Sequence, residues 1–201
     1  MTPQVLFTIG HTTHSFETFA GLLQKHDVTA LADVRSQPYS SRLPQFNREP
    51  LAEGLKRLGI RYVFLGEELG ARRIEAECYD GERVVYQRVA ASPKFLSGLE
   101  RLRQGTREYR IALMCAEKEP LDCHRTILIC RELRREFRIL HILFNGETEE
   151  HSQTERRLVR EMDVSRTLFE PDLSDEEVIQ RAYDKRAGQI AYRASEEGVL
   201  Q

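Results

Sequence analysis

Apolar residues along the chain follow two alternating rhythms. Short apolar runs bounded by polar turns mark buried strands, and runs with apolar positions three and four apart mark helices that cover them. By this pattern "VLFTIGH" (5–11), "VTALADVR" (28–35), "IRYVFL" (60–65), "YRIALMCA" (109–116) and "RILHILF" (138–144) are strands. The helices between them are "SFETFAGLLQKHD" (15–27), "EPLAEGLKRLG" (49–59), "SPKFLSGLERLRQG" (92–105) and "HRTILICRELRREF" (124–137). Their ends carry start and stop chemistry: Ser15 as N-cap, Ser92 ahead of Pro93, Pro50 near a first turn, and Gly59 and Gly105 at the exits. Strands that are apolar throughout and alternate with helices predict an α/β protein, a three-layer α/β/α sandwich with a mostly parallel five-stranded sheet.

Two segments interrupt the rhythm, residues 36–48 and 66–91. Both are polar and rich in Arg and Tyr, and both follow strand ends, where open α/β sheets bind ligands. The chain turns strongly charged from about residue 148. One or two helices are expected there, and "SDEEVIQRAYDKRAGQIAYRAS" reads as helical with Val178, Ile179, Ala182 and Tyr183 docked inward. The expected division is an α/β domain over 4–145 and a charged helical extension over 146–201, packed on the domain or on a partner.

Composition narrows the class. The 201 residues suffice for a substantial core, and 40% hydrophobic with 31% charged residues fits a soluble folded protein rather than a disordered one. A net charge of −2 supplies no global basic field toward nucleic acid or anionic membrane. No apolar run reaches the length of a membrane span, and no signal peptide is read at the N-terminus, so no membrane partner is expected. Four cysteines without CxxC pairing argue against a disulfide framework and for a reducing cytoplasm.

The candidate chemistry lies where strands end. The first strand delivers His11, the second Asp33 and Arg35, the third leads to Glu67 and Glu68, and the fourth delivers Cys115 and Glu117. The loop after it leads to Cys123, His124 and Arg125 at the expected helix start, where free N–H groups lower a thiol's pKa and favour anions. Cys123 is then a candidate nucleophile and Arg125 a fork for phosphate; the plain alternative is a buried Cys123, with Arg125 paired to Glu117 or Asp122. Cys115 and Cys130 read as core, and Cys78 as a loop residue with no obvious partner.

In the 36–48 loop Arg42 suits phosphate, Tyr39 and Phe46 suit stacking on a base, and Gln45 and Asn47 offer amide hydrogen bonds. The alternative there is a packed structural loop with Asp33 and Arg35 in salt bridges. A metal site built on Cys115, Cys123 and His11 is a competing reading, although no pair has the usual close spacing.

Three blocks carry a resemblance: "TIGHTTHSFETFAGLLQKHDVTALADVRSQPYSSRLPQFN", "GIRYVFLGEELGARR" and "ALMCAEKEPLDCHRTILI". They resemble the DUF488 family, a bacterial and archaeal group named as a domain of unknown function. Ala71 stands where the family pattern suggests a second glycine. The resemblance implies that His11, Asp33, Arg35, Gln45, Asn47, Cys115, Glu117, Cys123, His124 and Arg125 belong to one motif set. It implies no mechanism beyond an association with nucleotide or nucleic-acid transactions.

The expectation is a cytoplasmic enzyme acting on a small phosphorylated or nucleotide-like ligand. Cys123, Glu117, His11, His124 and Asp33 are its reacting groups. Arg35, Arg125, Arg42, Gln45, Asn47 and Tyr39 hold the substrate. No cofactor is expected, with zinc or another divalent metal as the alternative. The competing functions are a non-catalytic nucleotide or nucleic-acid binding module and a Cys/His metal hydrolase. Oligomeric state is not readable from the sequence.

Overall fold

The computed structural model describes residues 4–165 and 172–194. In chain order the first half comprises β1 (Val5–Gly10), α1 (Phe16–Lys25), β2 (Ala30–Asp33), α2 (Arg48–Arg57), β3 (Arg61–Phe64), α3 (Gly66–Leu69), a small hairpin of β4 (Tyr79–Asp80) and β5 (Arg83–Val84), and α4 (Tyr86–Ala90). The second half comprises α5 (Pro93–Gly105), β6 (Ile111–Cys115), a π-helical turn (Arg125–Cys130), α6 (Arg131–Leu133), β7 (Arg138–Ile142), β8 (Thr148–Glu150), α7 (His151–Glu161) and α8 (Asp175–Ile190).

The main sheet has the order β3-β2-β6-β1-β7-β8 and is parallel except for β8, which runs antiparallel to β7. The five parallel strands are those the apolar runs predict, and β8 adds a sixth at the edge. Alternate residues enter two cores. Phe7, Ile9, Leu31, Ala112 and Met114 pack against α1 and α2 through Phe19, Leu23, Leu51 and Leu55. Leu6, Ala32, Leu113 and Cys115 face the other layer with Leu99, Ile127, Leu128 and Tyr183. Both faces are thus covered, which is why these strands carry few polar positions.

Local chemistry sets the helix ends. Ser15 Oγ accepts the Thr18 N–H at 3.2 Å and Ser92 Oγ accepts the Phe95 N–H at 3.3 Å. Gly59, at φ +74°, makes the turn from α2 into β3.

Three expectations need correction. Residues 124–137 do not form one α-helix: the chain makes a π turn over Arg125–Cys130 and only a short α turn after it. All six residues of that turn are buried, so no exposed face exists to reveal the period. Residues 66–91 are not irregular throughout but hold α3, the hairpin and α4. Cys78 lies in a 3-10 turn within the core, wholly buried.

The charged tail forms two helices, α7 and α8. Ala182 and Tyr183 are wholly buried, while Val178 and Ile179 are half-buried. Residues 166–171 and 195–201 of the tail, including Ser195 of the expected helix, lie outside the described residues. No helix among the described residues is long and apolar enough to cross a membrane.

Candidate functional site

Strand register brings the candidate residues to one height. Gly10 pairs with Cys115 and Asp33 with Met114, so the first residues beyond β1, β2 and β6 emerge side by side. The His11 N–H donates to Cys115 O at 2.9 Å and the Val34 N–H to Met114 O at 3.0 Å, extending the ladder past the strands. At Gly10 an added Cβ would stand 1.9 Å from Glu117 O, so only glycine admits the backbone that follows β6.

Strand alternation then splits the polar residues into two clusters. Asp33, Arg35, His11, Phe46 and Tyr62 lie on the α1–α2 side. Asp33 Oδ1 accepts from Arg35 Nε at 2.9 Å, and Oδ2 accepts from Arg35 Nη2 and Tyr62 OH, both at 2.7 Å. Arg35 Nη2 also donates to Phe46 O at 2.8 Å, and Nη1 lies 3.2 Å from His11 Nε2. His11 Nδ1 faces Thr12 O at 3.0 Å, which assigns Nδ1 as donor and Nε2 as acceptor. Burial first, with the Arg35 charge beside it, lowers the His11 pKa to about 4. The ring stacks on Phe46 at 4.4 Å.

The second cluster lies on the opposite face. Cys115 ends β6, and Cys123 and His124 lead into the π turn. Cys115 Sγ and Cys123 Sγ stand 3.6 Å and 3.9 Å from His124 Nδ1. The other ring nitrogen, Nε2, donates to Val34 O at 3.0 Å. Cys123 Sγ and Glu117 Oε2 share a hydrogen bond of 3.0 Å, and the Arg125 N–H approaches the same sulfur at 3.4 Å.

Electrostatics separate these groups. Burial and then the Cys123 charge raise the Glu117 pKa. Burial works to raise Cys123 as well, but the hydrogen bond with Cys115 and the charges of Arg125 and His124 outweigh it and carry the thiol well below its ordinary value. The hydrogen bond to Cys123, and then burial, hold Cys115 well above the ordinary thiol value.

A cleft of about 230 Å³ opens over the second cluster, lined by Arg35, Ser36, Gln37, Tyr39, Ala71, Arg72, Cys115, Ala116, Glu117 and His124. A larger cleft, about 730 Å³ between α7 and α8, contains none of the candidate residues. Cys123 is 1% exposed and does not line the smaller cleft, whereas Cys115 does. Arg35 has five N–H donors, and the bonds above use four of them.

Several candidates sit elsewhere. Arg125 is wholly buried and donates to the carbonyls of Glu117 at 2.8 Å and Lys118 at 3.4 Å, so it presents no fork to a ligand and pairs with neither Glu117 nor Asp122 side chain. Phe46 is wholly buried against His11 and offers no face to a base. Gln45 Nε2 donates to His14 O at 3.1 Å and Asn47 Oδ1 accepts the Ser40 N–H at 2.6 Å, so both amides brace the loop. Arg42 is exposed, away from the cleft lining. Glu67 and Glu68 are absent from the lining too, and Glu68 pairs with Arg101.

Sequence reasoning overlooked Arg72. Its backbone N–H donates to Ser36 Oγ at 2.9 Å, its Nη1 to Gln37 Oε1 at 2.7 Å, and its guanidinium lies over Tyr192 at 4.8 Å. The adjacent arginines in "LGARR" were the available signal.

Fold and site together define an α/β protein with a buried two-thiol, one-imidazole cluster beneath a cleft at its strand ends. The family model described as domain of unknown function DUF488 matches residues 15–131, more than half of the chain. The chain belongs to this family, and the match spans both clusters apart from His11. No curated protein and no solved structure matches the chain.

Proposed function

We propose that this protein is an enzyme that binds a small phosphorylated or nucleotide-like anion in the 230 Å³ cleft and acts on it with Glu117 as its proton-transferring group. One observation carries this reading: two arginines, a thiol, a carboxyl and an imidazole from separate segments converge on the same cleft. The remaining N–H of Arg35 and the guanidinium of Arg72 suit an anion's oxygens, with Tyr39 at the rim. Glu117, whose pKa is raised by burial and then by the Cys123 charge, suits donation to a leaving group. Cys123 then tunes Glu117 rather than attacking substrate. Four free cysteines, all buried, favour a reducing compartment such as the cytoplasm.

Calorimetric binding and product assays over a panel of nucleotides and phosphate esters test the reading. Arg72→Ala is expected to weaken binding of a hit by roughly 10–100-fold, the worth of a charge-assisted hydrogen bond. Glu117→Gln is expected to keep the affinity and lower turnover by about 100-fold or more. Unchanged affinity in Arg72→Ala removes the anion site, and unchanged turnover in Glu117→Gln removes the acid role. Saturable binding without turnover makes the protein a nucleotide sensor instead.

A further inference from the structure

We propose that Cys115, Cys123 and His124 form a three-ligand site for a thiophilic divalent metal ion, zinc above all, whose fourth position opens to the cleft beside Glu117. The three donor atoms lie within 4.8 Å of one another, and all three residues are buried. A tetrahedral ion with Zn–S of about 2.3 Å and Zn–N of about 2.0 Å sets sulfur–nitrogen edges of about 3.5 Å. The observed edges are 3.6 Å and 3.9 Å, so the imidazole already stands almost where the ion needs it.

The surroundings fit as well. Metal-bound histidines commonly donate their second ring nitrogen to a carbonyl or carboxylate, which fixes the ring and aims the lone pair. His124 does this through Nε2 and Val34 O at 3.0 Å, leaving Nδ1 directed at both sulfurs. The Arg125 N–H at 3.4 Å supports the Cys123 sulfur. The charges close: two thiolates neutralise a divalent ion.

Cys115, Glu117 and His124 all reach the cleft wall, which gives the ion an entry path and a position for solvent or substrate. Three protein ligands with one open position is the pattern of reactive rather than structural zinc. His11 is not part of this set, because its Nε2 faces Arg35 and its Nδ1 faces Thr12 O. The ligands come from a strand end and a π turn, so the close spacing of a zinc finger does not arise.

The test uses full-length, untagged protein purified without chelator. Elemental analysis is followed by metal removal, reconstitution with Zn(II) or Co(II), and thiol counting in the native state. About one ion per chain is expected. Thiolate-to-cobalt charge-transfer absorption and protection of Cys115 and Cys123 until a chelator is added should accompany it. Cys130→Ala, which removes a core thiol outside the set, should keep the cobalt spectrum. Cys123→Ser should weaken zinc binding by more than the roughly 10–100-fold that loss of a supporting hydrogen bond costs.

Only trace metal in reconstituted, folded wild-type protein overturns the proposal, as does a cobalt spectrum without thiolate bands or one unchanged by Cys123→Ser. The wild-type measurement decides even if a ligand variant fails to fold. Metal without turnover would leave this site standing and remove the enzyme reading, and turnover without metal would do the reverse.

Discussion

Replacing Asp33 by asparagine tests how the strand ends are held. Asp33 is wholly buried and Arg35 is 6% exposed; they are joined at 2.7 Å and 2.9 Å, with Tyr62 OH and the Arg35 N–H as further donors to the carboxylate. Asp33→Asn leaves the guanidinium with neutral acceptors only: Phe46 O, His11 Nε2 and the new amide oxygen. Breaking a buried pair from one side costs about 3–5 kcal/mol. In a chain of this size each kcal/mol moves the melting temperature by about 2–4 °C, so a fall of about 6–20 °C is expected. Arg35→Met strands the carboxylate and should cost a similar amount, eased by the Tyr62 hydroxyl. The double variant Asp33→Asn/Arg35→Met removes both charges and should cost less than the sum by about 2 kcal/mol. Urea unfolding followed by circular dichroism at constant m measures all three. Single costs below about 1 kcal/mol, or strict additivity, would refute the claim that this pair is a buried and mutually dependent unit.

Gly10→Ala should destabilise by about 3 kcal/mol or more, because the new Cβ meets backbone at Glu117 O, 1.9 Å away, rather than a side chain that can swing aside. Gly21→Ala, with nothing within 4 Å of its added Cβ in α1, should be neutral or stabilising by up to ~1 kcal/mol; parallel thermal melts compare them. A buried polar chain runs from Thr8 through His141 and His151 to Tyr183 and Glu155, with Arg134 beyond. Burial first, and then Arg134, lower the His151 pKa from 6.5 to about 3. Its stabilising contribution is therefore complete above the unfolded value and falls as pH drops from 6.5 toward 3. Each pH unit within that window costs about 1.4 kcal/mol. His151→Gln should flatten the stability slope between pH 6.5 and 4.5 by that amount relative to wild type, and parallel slopes would show that His151 does not titrate on unfolding.

The inner parallel strands were legible because strands buried on both faces must be apolar nearly throughout, and the edge strand β3 by its run of aromatic and β-branched residues. β8 was not, since its three residues, Thr148, Glu149 and Glu150, are polar and it lies at the sheet edge. Strand order was hidden too: β6 inserts between β1 and β2, a choice made by pairing between distant segments that no local pattern records. The same pairing explains which site residues could be read. Strand-end residues such as His11, Asp33 and Arg35 were visible as polar interruptions of apolar runs. What each one faces was not visible, because strand alternation sends Asp33 to one side of the sheet and Cys115 to the other. Arg125 misled for a related reason. Beside Cys123 in sequence it looks like a surface fork, but the π turn carries it inward to satisfy the carbonyls of Glu117 and Lys118.

The tail shows how far the site depends on distant chain. Arg157 of α7 pairs with Glu119 at 2.7 Å. Arg186 of α8 donates from Nε to Leu121 O at 3.0 Å and pairs with Asp122. These contacts grip residues 119–122, the segment that carries the chain from Glu117 to Cys123. Leu158, Ala182 and Tyr183 meanwhile share one core with β6 and the π turn. The change in composition near residue 148 is therefore not a change in packing. The thiol geometry beneath the cleft is set from both sides, by sheet register at Cys115 and by the tail's hold on the approach to Cys123, although the tail supplies neither sulfur nor imidazole.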